Sequence, residues 1–309
     1  MDPTTATQSI PDTVLNDVTT LQSFLKEYAN LPEETSSTIY ANLEGIKLGR
    51  KGSISIISLF VPSLGRVYHV DLISLGDAVL STEPASGTSL KTILESPAIK
   101  KMFFDVRNDS DALFAHHQIS LRGVIDVQLM ELATRTYYRR HLASLAKCVE
   151  GNSAVAPATK EHWRSVAQIF DLRRRSEELS GRHIINIRPI DPLVLEFCKL
   201  RVVLLPHLWR VYSNKLRAGS ELFWRSKITF ETEERVKLAR SATYDGDSKN
   251  KVLGPWDWYG NELDEAIWAW NDDLLDDIRI GDAETRPKYE SVLFNKSEAD
   301  ALSFCNGGC

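Results

Sequence analysis

The chain has few cysteines and no long apolar run. Its 309 residues include four cysteines, Cys148, Cys198, Cys305 and Cys309, too few for a disulfide framework in a chain of this length. No apolar run reaches the roughly 18 residues that a membrane-spanning helix needs, and residues 1–8 lack the basic and apolar regions of a signal peptide. We therefore expect an intracellular protein, cytoplasmic or nuclear, with no membrane partner.

Negative charge is concentrated near the C-terminal end. The formal net charge is −5, and residues 257–309 contain 13 acidic and 4 basic side chains. The rest of the chain is mildly basic, a balance that permits contact with nucleic acid without requiring it. The acidic segment is either a cover over a basic groove or, as we favour, a solvated face.

Short apolar strands alternate with amphipathic helices along the chain. A helix is predicted over residues 17–31, and Gly and Pro links between the next three strands favour an antiparallel meander. The strand candidates are 38–43, 54–60, 67–70, 101–104 and 124–125. Later helix candidates are 90–95, 109–117 and 193–212. Pro206 is expected to kink the last of these or to mark its last turns. The order predicts an α/β fold with helices on the faces of a mixed sheet.

Three motifs carry the functional information. Residues 40–45 read Tyr-Ala-Asn-Leu-Glu-Gly, residues 101–114 read Lys-Met-Phe-Phe-Asp-Val-Arg-Asn-Asp-Ser-Asp-Ala-Leu-Phe, and residues 188–209 begin Arg-Pro-Ile and continue into a helix. In this order they resemble the motifs of DEDD-type 3′–5′ exonucleases, the ribonuclease D and egalitarian-like group. The resemblance implies a ribonuclease-H-like mixed sheet flanked by helices, with a helical C-terminal appendage.

One main domain with two extensions is expected. The Thr-, Ser- and Pro-rich residues 1–16 are predicted to be disordered. Residues 17–216 form the predicted exonuclease-like domain. Residues 217–309 form an acidic, Trp-rich appendage that we expect to pack on or beside it.

The resemblance also implies which positions form the catalytic site. Members of the family use four carboxylates to hold two Mg²⁺ or Mn²⁺ ions, and a Tyr on the last helix positions the attacking water. Asn42 and Glu44 match the Asp-x-Glu strand, and Asp109 matches the second Asp. Phe197 and Arg201 match the Tyr and the last Asp. Three of these five catalytic positions are therefore substituted.

Arg201 changes the electrostatics that the family site requires. A guanidinium cannot coordinate a cation and stays protonated. We therefore expect no bound metal ion. If a metal ion does bind, Glu44 and Asp109 are the expected ligands. Arg201 is predicted to pair with Glu44, with Asp109 or with both. Asp126, which follows a short strand, is expected to have a structural role.

The first functional hypothesis is a catalytically degenerate exonuclease-like protein rather than an enzyme. It would act as an adaptor that binds RNA, single-stranded DNA or a protein partner. A basic stretch interleaved with Tyr137 and Tyr138 is a candidate nucleic-acid surface, although a solvated helix face explains it equally well. Its residues are Arg135, Arg139, Arg140 and Lys147.

Two alternatives stay open. One is an active 3′–5′ exonuclease with an altered site, dependent on Mg²⁺ or Mn²⁺, which would hydrolyse phosphodiester bonds. The other is an exonuclease fold whose emptied cleft accepts a small molecule. The sequence leaves the oligomeric state open.

Overall fold

A six-stranded mixed sheet forms the centre of the computed structural model, which describes residues 10–32, 38–76, 79, 82 and 87–280. The strands are β1 Asp12–Leu15, β2 Thr38–Glu44, β3 Ile56–Val61, β4 Arg66–Asp71, β5 Lys100–Phe103 and β6 Val124–Asp126. Their order across the sheet is β1-β4-β3-β2-β5-β6. Strands β2, β3 and β4 form the predicted antiparallel meander. Strand β1 pairs in parallel with β4, and β5 and β6 continue in parallel from β2.

Helices cover both faces of this sheet. They are α1 Val18–Ala29, α2 Leu72–Leu75, α3 Leu90–Glu95, α4 Arg107–His117, α5 Val127–Ala133, α6 Leu145–Gly151, α7 Pro157–Leu179, α8 Pro192–Val203, α9 Leu205–Lys215, α10 Leu222–Arg240 and α11 Asn261–Ile280. Alternate residues of a strand point to opposite faces, so Ile39 and Leu43 enter one core cluster and Tyr40 enters the other. Asn42 and Glu44 share the face of Tyr40, against which α8 packs.

The predicted helix over residues 193–212 is divided in two. Helix α8 ends at Val203 and α9 begins at Leu205, with Leu204 between them. Pro206 lies in the first turn of α9, where its missing N–H is not needed. The expected disruption near Pro206 is present as a break at Leu204, whereas the alternative that Pro206 marks the last turns is wrong.

Residues 12–15 correct the prediction of a disordered N-terminus over residues 1–16. They form β1, which extends the edge of the sheet beside β4, and Leu15 is buried. A strand of four residues leaves almost no periodic signal, and its order depends on hydrogen bonds to β4. Residues 1–9 lie outside the described part of the chain.

The segment predicted as a C-terminal appendage contributes to the core. Helix α10 packs against α4, α5 and β6, and buries Phe223, Trp224 and Ile228. Helix α11 packs Leu263 and Trp270 against the same core cluster. Residues 281–309 of the predicted appendage lie outside the described residues. Among the described residues, no helix is both long and apolar enough to cross a membrane.

A buried carboxylate joins several of these elements. Asp126 accepts hydrogen bonds from the backbone N–H groups of Asp105 at 2.9 Å, Val106 at 3.2 Å and Gln128 at 3.0 Å. Its Oδ2 also lies 2.7 Å from Nη1 of Arg235 on α10. Both ionic side chains are almost fully buried. The expected structural role of Asp126 agrees with these contacts.

Replacing Arg235 with Met should lower the free energy of unfolding by about 3 kcal/mol or more, because it leaves the charge of Asp126 buried without its partner. Equilibrium unfolding in urea measures this change. Lys237→Met is the matched control on the same helix, since Lys237 pairs with Glu234 in solvent. The control should cost less than about 1 kcal/mol. Similar small losses in both variants would contradict the structural role of the buried pair.

Candidate active site

The first motif places two side chains together at the end of β2. Asn42 and Glu44 are alternate residues of the strand and project from the same face. Nδ2 of Asn42 donates a hydrogen bond to Oε1 of Glu44 at 3.1 Å. The amide thus contacts the carboxylate that follows it instead of adding a second negative charge.

Helix α8 brings the third motif against the same carboxylate. The residues before it are fixed by Arg188, whose Nη2 lies 2.6 Å from Oδ1 of Asp71 at the end of β4. Asp191 caps the helix by accepting from the N–H of Leu193 at 2.8 Å. Nη1 of Arg201 then lies 2.8 Å from Oε1 of Glu44.

The predicted pairing of Arg201 is therefore present with Glu44, and Asp109 has a different partner. Oδ1 of Asp109 accepts a hydrogen bond from the backbone N–H of Leu43 at 2.9 Å. Burial raises the pKa of Asp109 to about 8, although Arg201 and the Leu43 N–H act in the opposite direction. A carboxyl with this pKa is largely uncharged at neutral pH.

Neighbouring aspartates are engaged in other ion pairs. Asp105 adopts a left-handed backbone conformation, with φ 62°, and its carboxylate binds Arg107 Nε at 2.6 Å. Arg107 lowers the pKa of Asp105 against the effect of burial. Asp111 binds Arg50 Nε at 2.7 Å. Both carboxylates therefore already have cationic partners.

Phe197 lies inside a stack of aromatic rings. Its ring is nearly parallel to that of Phe170, with 3.9 Å between centroids and 5° between planes. Trp163 stacks on it at 6.0 Å and 15°. A Tyr hydroxyl would supply a polar group at this position, whereas Phe197 supplies only ring packing.

Two cavities meet at these residues, and both are lined by Glu44, Phe197 and Arg201. The first, which we call the Lys47 cavity, has a volume of about 730 Å³ and is also lined by Lys47, Phe170, Arg174 and His183. The second, the Lys251 cavity, has a volume of about 780 Å³ and is also lined by Asn108, Asp109, Trp163 and Lys251. Both fall within the range of about 300–1,000 Å³ that is typical of ligand pockets.

The donor set at this junction does not fit a two-metal centre. Such a centre needs several ionised oxygen ligands. Here Glu44 Oε1 already accepts from Asn42 and Arg201, and Asp109 Oδ1 accepts from the backbone N–H of Leu43. Among the described residues, no group of three or more His, Cys, Asp or Glu side chains is placed to hold a metal ion.

The predicted nucleic-acid residues divide into two kinds. Arg135 pairs with Glu131 at 2.5 Å, and Arg139 is buried with its guanidinium 4.3 Å above the ring of Trp224. Arg140 and Lys147 are exposed. Binding of nucleic acid by these four residues stays a prediction.

The sequence reasoning missed the side chains that support the site. The stacking of Trp163 and Phe170 on Phe197 has no local signal, since the rings come from two different helices.

A family model described as 3′–5′ exonuclease matches residues 13–174, which include the first two motifs. No curated protein shows significant similarity to this chain. Several solved structures share the fold. RNase D from Trypanosoma brucei, in a complex with RNA U12, has a TM-score of 0.56 at 17% identity, over 84% of this chain and 79% of that chain.

Two bacterial structures are also similar. Escherichia coli RNase D, an exoribonuclease involved in structured RNA processing, has a TM-score of 0.50 at 15% identity, over 75% of this chain and 51% of that chain. Brucella melitensis NrnC, bound to pGG, has a TM-score of 0.50 at 16% identity, over 78% of this chain and 100% of that chain. These likenesses show the ribonuclease-H-like fold. Because the family model matches more than half of its residues, the chain belongs to the 3′–5′ exonuclease domain family.

Proposed function

We propose that this chain is a catalytically degenerate member of its family that binds single-stranded nucleic acid, with RNA as the favoured ligand. The observation that most directly supports this proposal is the 2.8 Å ion pair between Arg201 and Glu44. The guanidinium occupies the place where the family motif has a metal-binding aspartate. Hydrolysis by two metal ions would require that carboxylate.

The substitutions at the site support each other. Asn42 and Arg201 both donate to Oε1 of Glu44. In the family motif these two positions are carboxylates, which would repel Glu44 unless cations lay between them. Here the same positions stabilise Glu44 without a metal ion, which supports a cleft adapted to a metal-free state.

The two cavities offer cationic side chains to a phosphate chain. Lys47 and Arg174 line one cavity and Lys251 lines the other. Arg174 is paired with Asp171 and Glu178 of the same cavity, so Lys47, which is exposed, is the main candidate for a phosphate contact there. Contacts of this kind suit the backbone of a single strand. The structurally similar RNase D of Trypanosoma brucei is found with RNA U12, which supports RNA as the first ligand to test.

Wild-type protein should leave a 5′-labelled single-stranded RNA at full length in Mg²⁺ or Mn²⁺, because the carboxylates for a two-metal centre are missing. Denaturing gel electrophoresis of the products measures this. The triple variant Asn42→Asp, Phe197→Tyr, Arg201→Asp restores the motif residues and should gain metal-dependent shortening. Shortening by the wild-type protein that disappears in Glu44→Gln would show an active enzyme and overturn the proposal.

A double-mutant cycle tests whether the ion pair stabilises the site. Arg201→Met and Glu44→Gln should show a coupling free energy of about 1–2 kcal/mol in urea unfolding, because each removes the partner of a half-buried charge. A second cycle on the exposed pair Arg164–Glu150 is the control, with coupling below about 1 kcal/mol. Additive effects of the two site substitutions would contradict the pairing.

Binding of a fluorescein-labelled single-stranded RNA should weaken steeply as salt rises, because phosphate contacts release counterions. Lys47→Glu should lower the affinity roughly tenfold, since it replaces an attraction to phosphate by a repulsion. Fluorescence anisotropy measures both effects. Lys26→Glu, on the outer side of α1, makes the same charge change outside both cavities and should have little effect. Absence of binding at low salt would overturn the proposed ligand.

A further inference from the structure

Three exposed tyrosines form a surface outside the two cavities. Tyr137, Tyr138 and Tyr259 are 57%, 67% and 53% exposed, and we call them the tyrosine platform. Tyr138 and Tyr259 stack on each other with 4.8 Å between centroids and 28° between planes. Aromatic rings that are fixed in place and exposed to solvent offer contact area at low entropic cost.

A third cavity, with a volume of about 640 Å³, lies beside this platform. It is lined by Arg135, Arg139, Lys215, Trp224 and Tyr259, among others. Nε of Arg139 is buried without a hydrogen-bond partner among the described residues. Its Nη2 donates only to backbone carbonyls, those of Ala133 and Arg135. Burial lowers the pKa of Arg139, whereas Glu221 of the same cavity acts in the opposite direction, so a further anion in this cavity would favour the charged form.

The charges that line the third cavity are nearly balanced. The basic residues are Arg135, Arg139 and Lys215, and the acidic residues are Glu221 and Asp264. Arg135 is paired with Glu131, so Arg139 and the exposed Lys215 are the cationic groups that an anion would meet. Cationic groups beside exposed aromatic rings are typical of surfaces that bind single-stranded nucleic acid.

The platform is continuous with the Lys251 cavity. Two chain segments run side by side, joined by a bridge between His141 and Leu253 and by a hydrogen bond from Leu142 N to Val252 O at 2.9 Å. Leu142 and Val252 line the Lys251 cavity. Arg139 and Tyr259, which belong to the same two segments, line the third cavity. A strand that leaves the Lys251 cavity along them reaches the platform.

We infer that the tyrosine platform and the Arg139 cavity bind the part of a single-stranded RNA that extends beyond the cleft. Bases stack on Tyr138 and Tyr259, and phosphate contacts Lys215 and the part of the Arg139 side chain that lines the third cavity. This inference rests on the proposed function for its ligand. It assigns a binding surface to residues that lie partly beyond the match to the family model, since Tyr259 and Lys215 follow residue 174.

The double variant Tyr138→Ala, Tyr259→Ala tests the surface. It should weaken binding of a fluorescein-labelled oligoadenylate of about 16 nucleotides by roughly tenfold or more, because stacking contributes about 1–3 kcal/mol per base. An oligomer of about 4 nucleotides, which fits within the cleft, should bind the variant as it binds the wild type. Tyr138→Phe, Tyr259→Phe keeps the rings and should keep the affinity. Phe230→Ala, at an equally exposed aromatic residue of α10, is the matched control.

The outcomes separate this inference from the proposed function. If the wild type binds neither oligomer, both the proposed function and this inference are contradicted. If the wild type binds both and the Ala variant binds the long oligomer equally well, only this inference is overturned, and the platform is left as a candidate protein-binding face. Equal losses for both oligomers, or an equal loss in the Phe variant, would also overturn it, because stacking beyond the cleft predicts neither.

Discussion

The buried carboxylate of Asp126 holds the site-bearing end of the molecule together. It binds the backbone where β5 turns into α4, the first turn of α5 and the guanidinium of Arg235 on α10. A buried charge is tolerated only when it is paired and hydrogen-bonded. The position of Asp109 on α4 therefore depends on a contact from α10, a helix beyond the segment that matches the family model.

The cleft has the architecture of the family, but its charge is distributed differently from that of the family motif. Strand β2 and helix α8 meet as the motifs require, so Asn42, Glu44 and Arg201 converge. The contact between them is an ion pair inside the protein. The proposed binding function is consistent with this combination, because a cleft whose carboxylate is paired with a guanidinium repels a phosphate chain less than a cluster of carboxylates does.

The sequence predicted the elements whose signals are local. Helix α1 lies within the predicted range 17–31 and is capped by Asp17, and the Gly and Pro links correctly predicted the meander. Strand β1 was missed because its order comes from β4. An ion pair between Arg201 and a carboxylate of the site could be predicted from charge alone, whereas the choice of Glu44 over Asp109 depends on the Leu43 N–H that already binds Asp109. The ring stack around Phe197 requires the packing of α7 on α8, which no local pattern encodes.

The shared oxygen of Glu44 also constrains which substitutions the site accepts. Asn42 and Arg201 converge on Oε1, so each depends on the same acceptor. A single replacement of Arg201 by Asp would set a carboxylate beside Glu44 and remove the cationic partner of that oxygen, which would destabilise the site. The shared acceptor therefore couples the two positions, because a change at either one alters the hydrogen bonding that is left for the other.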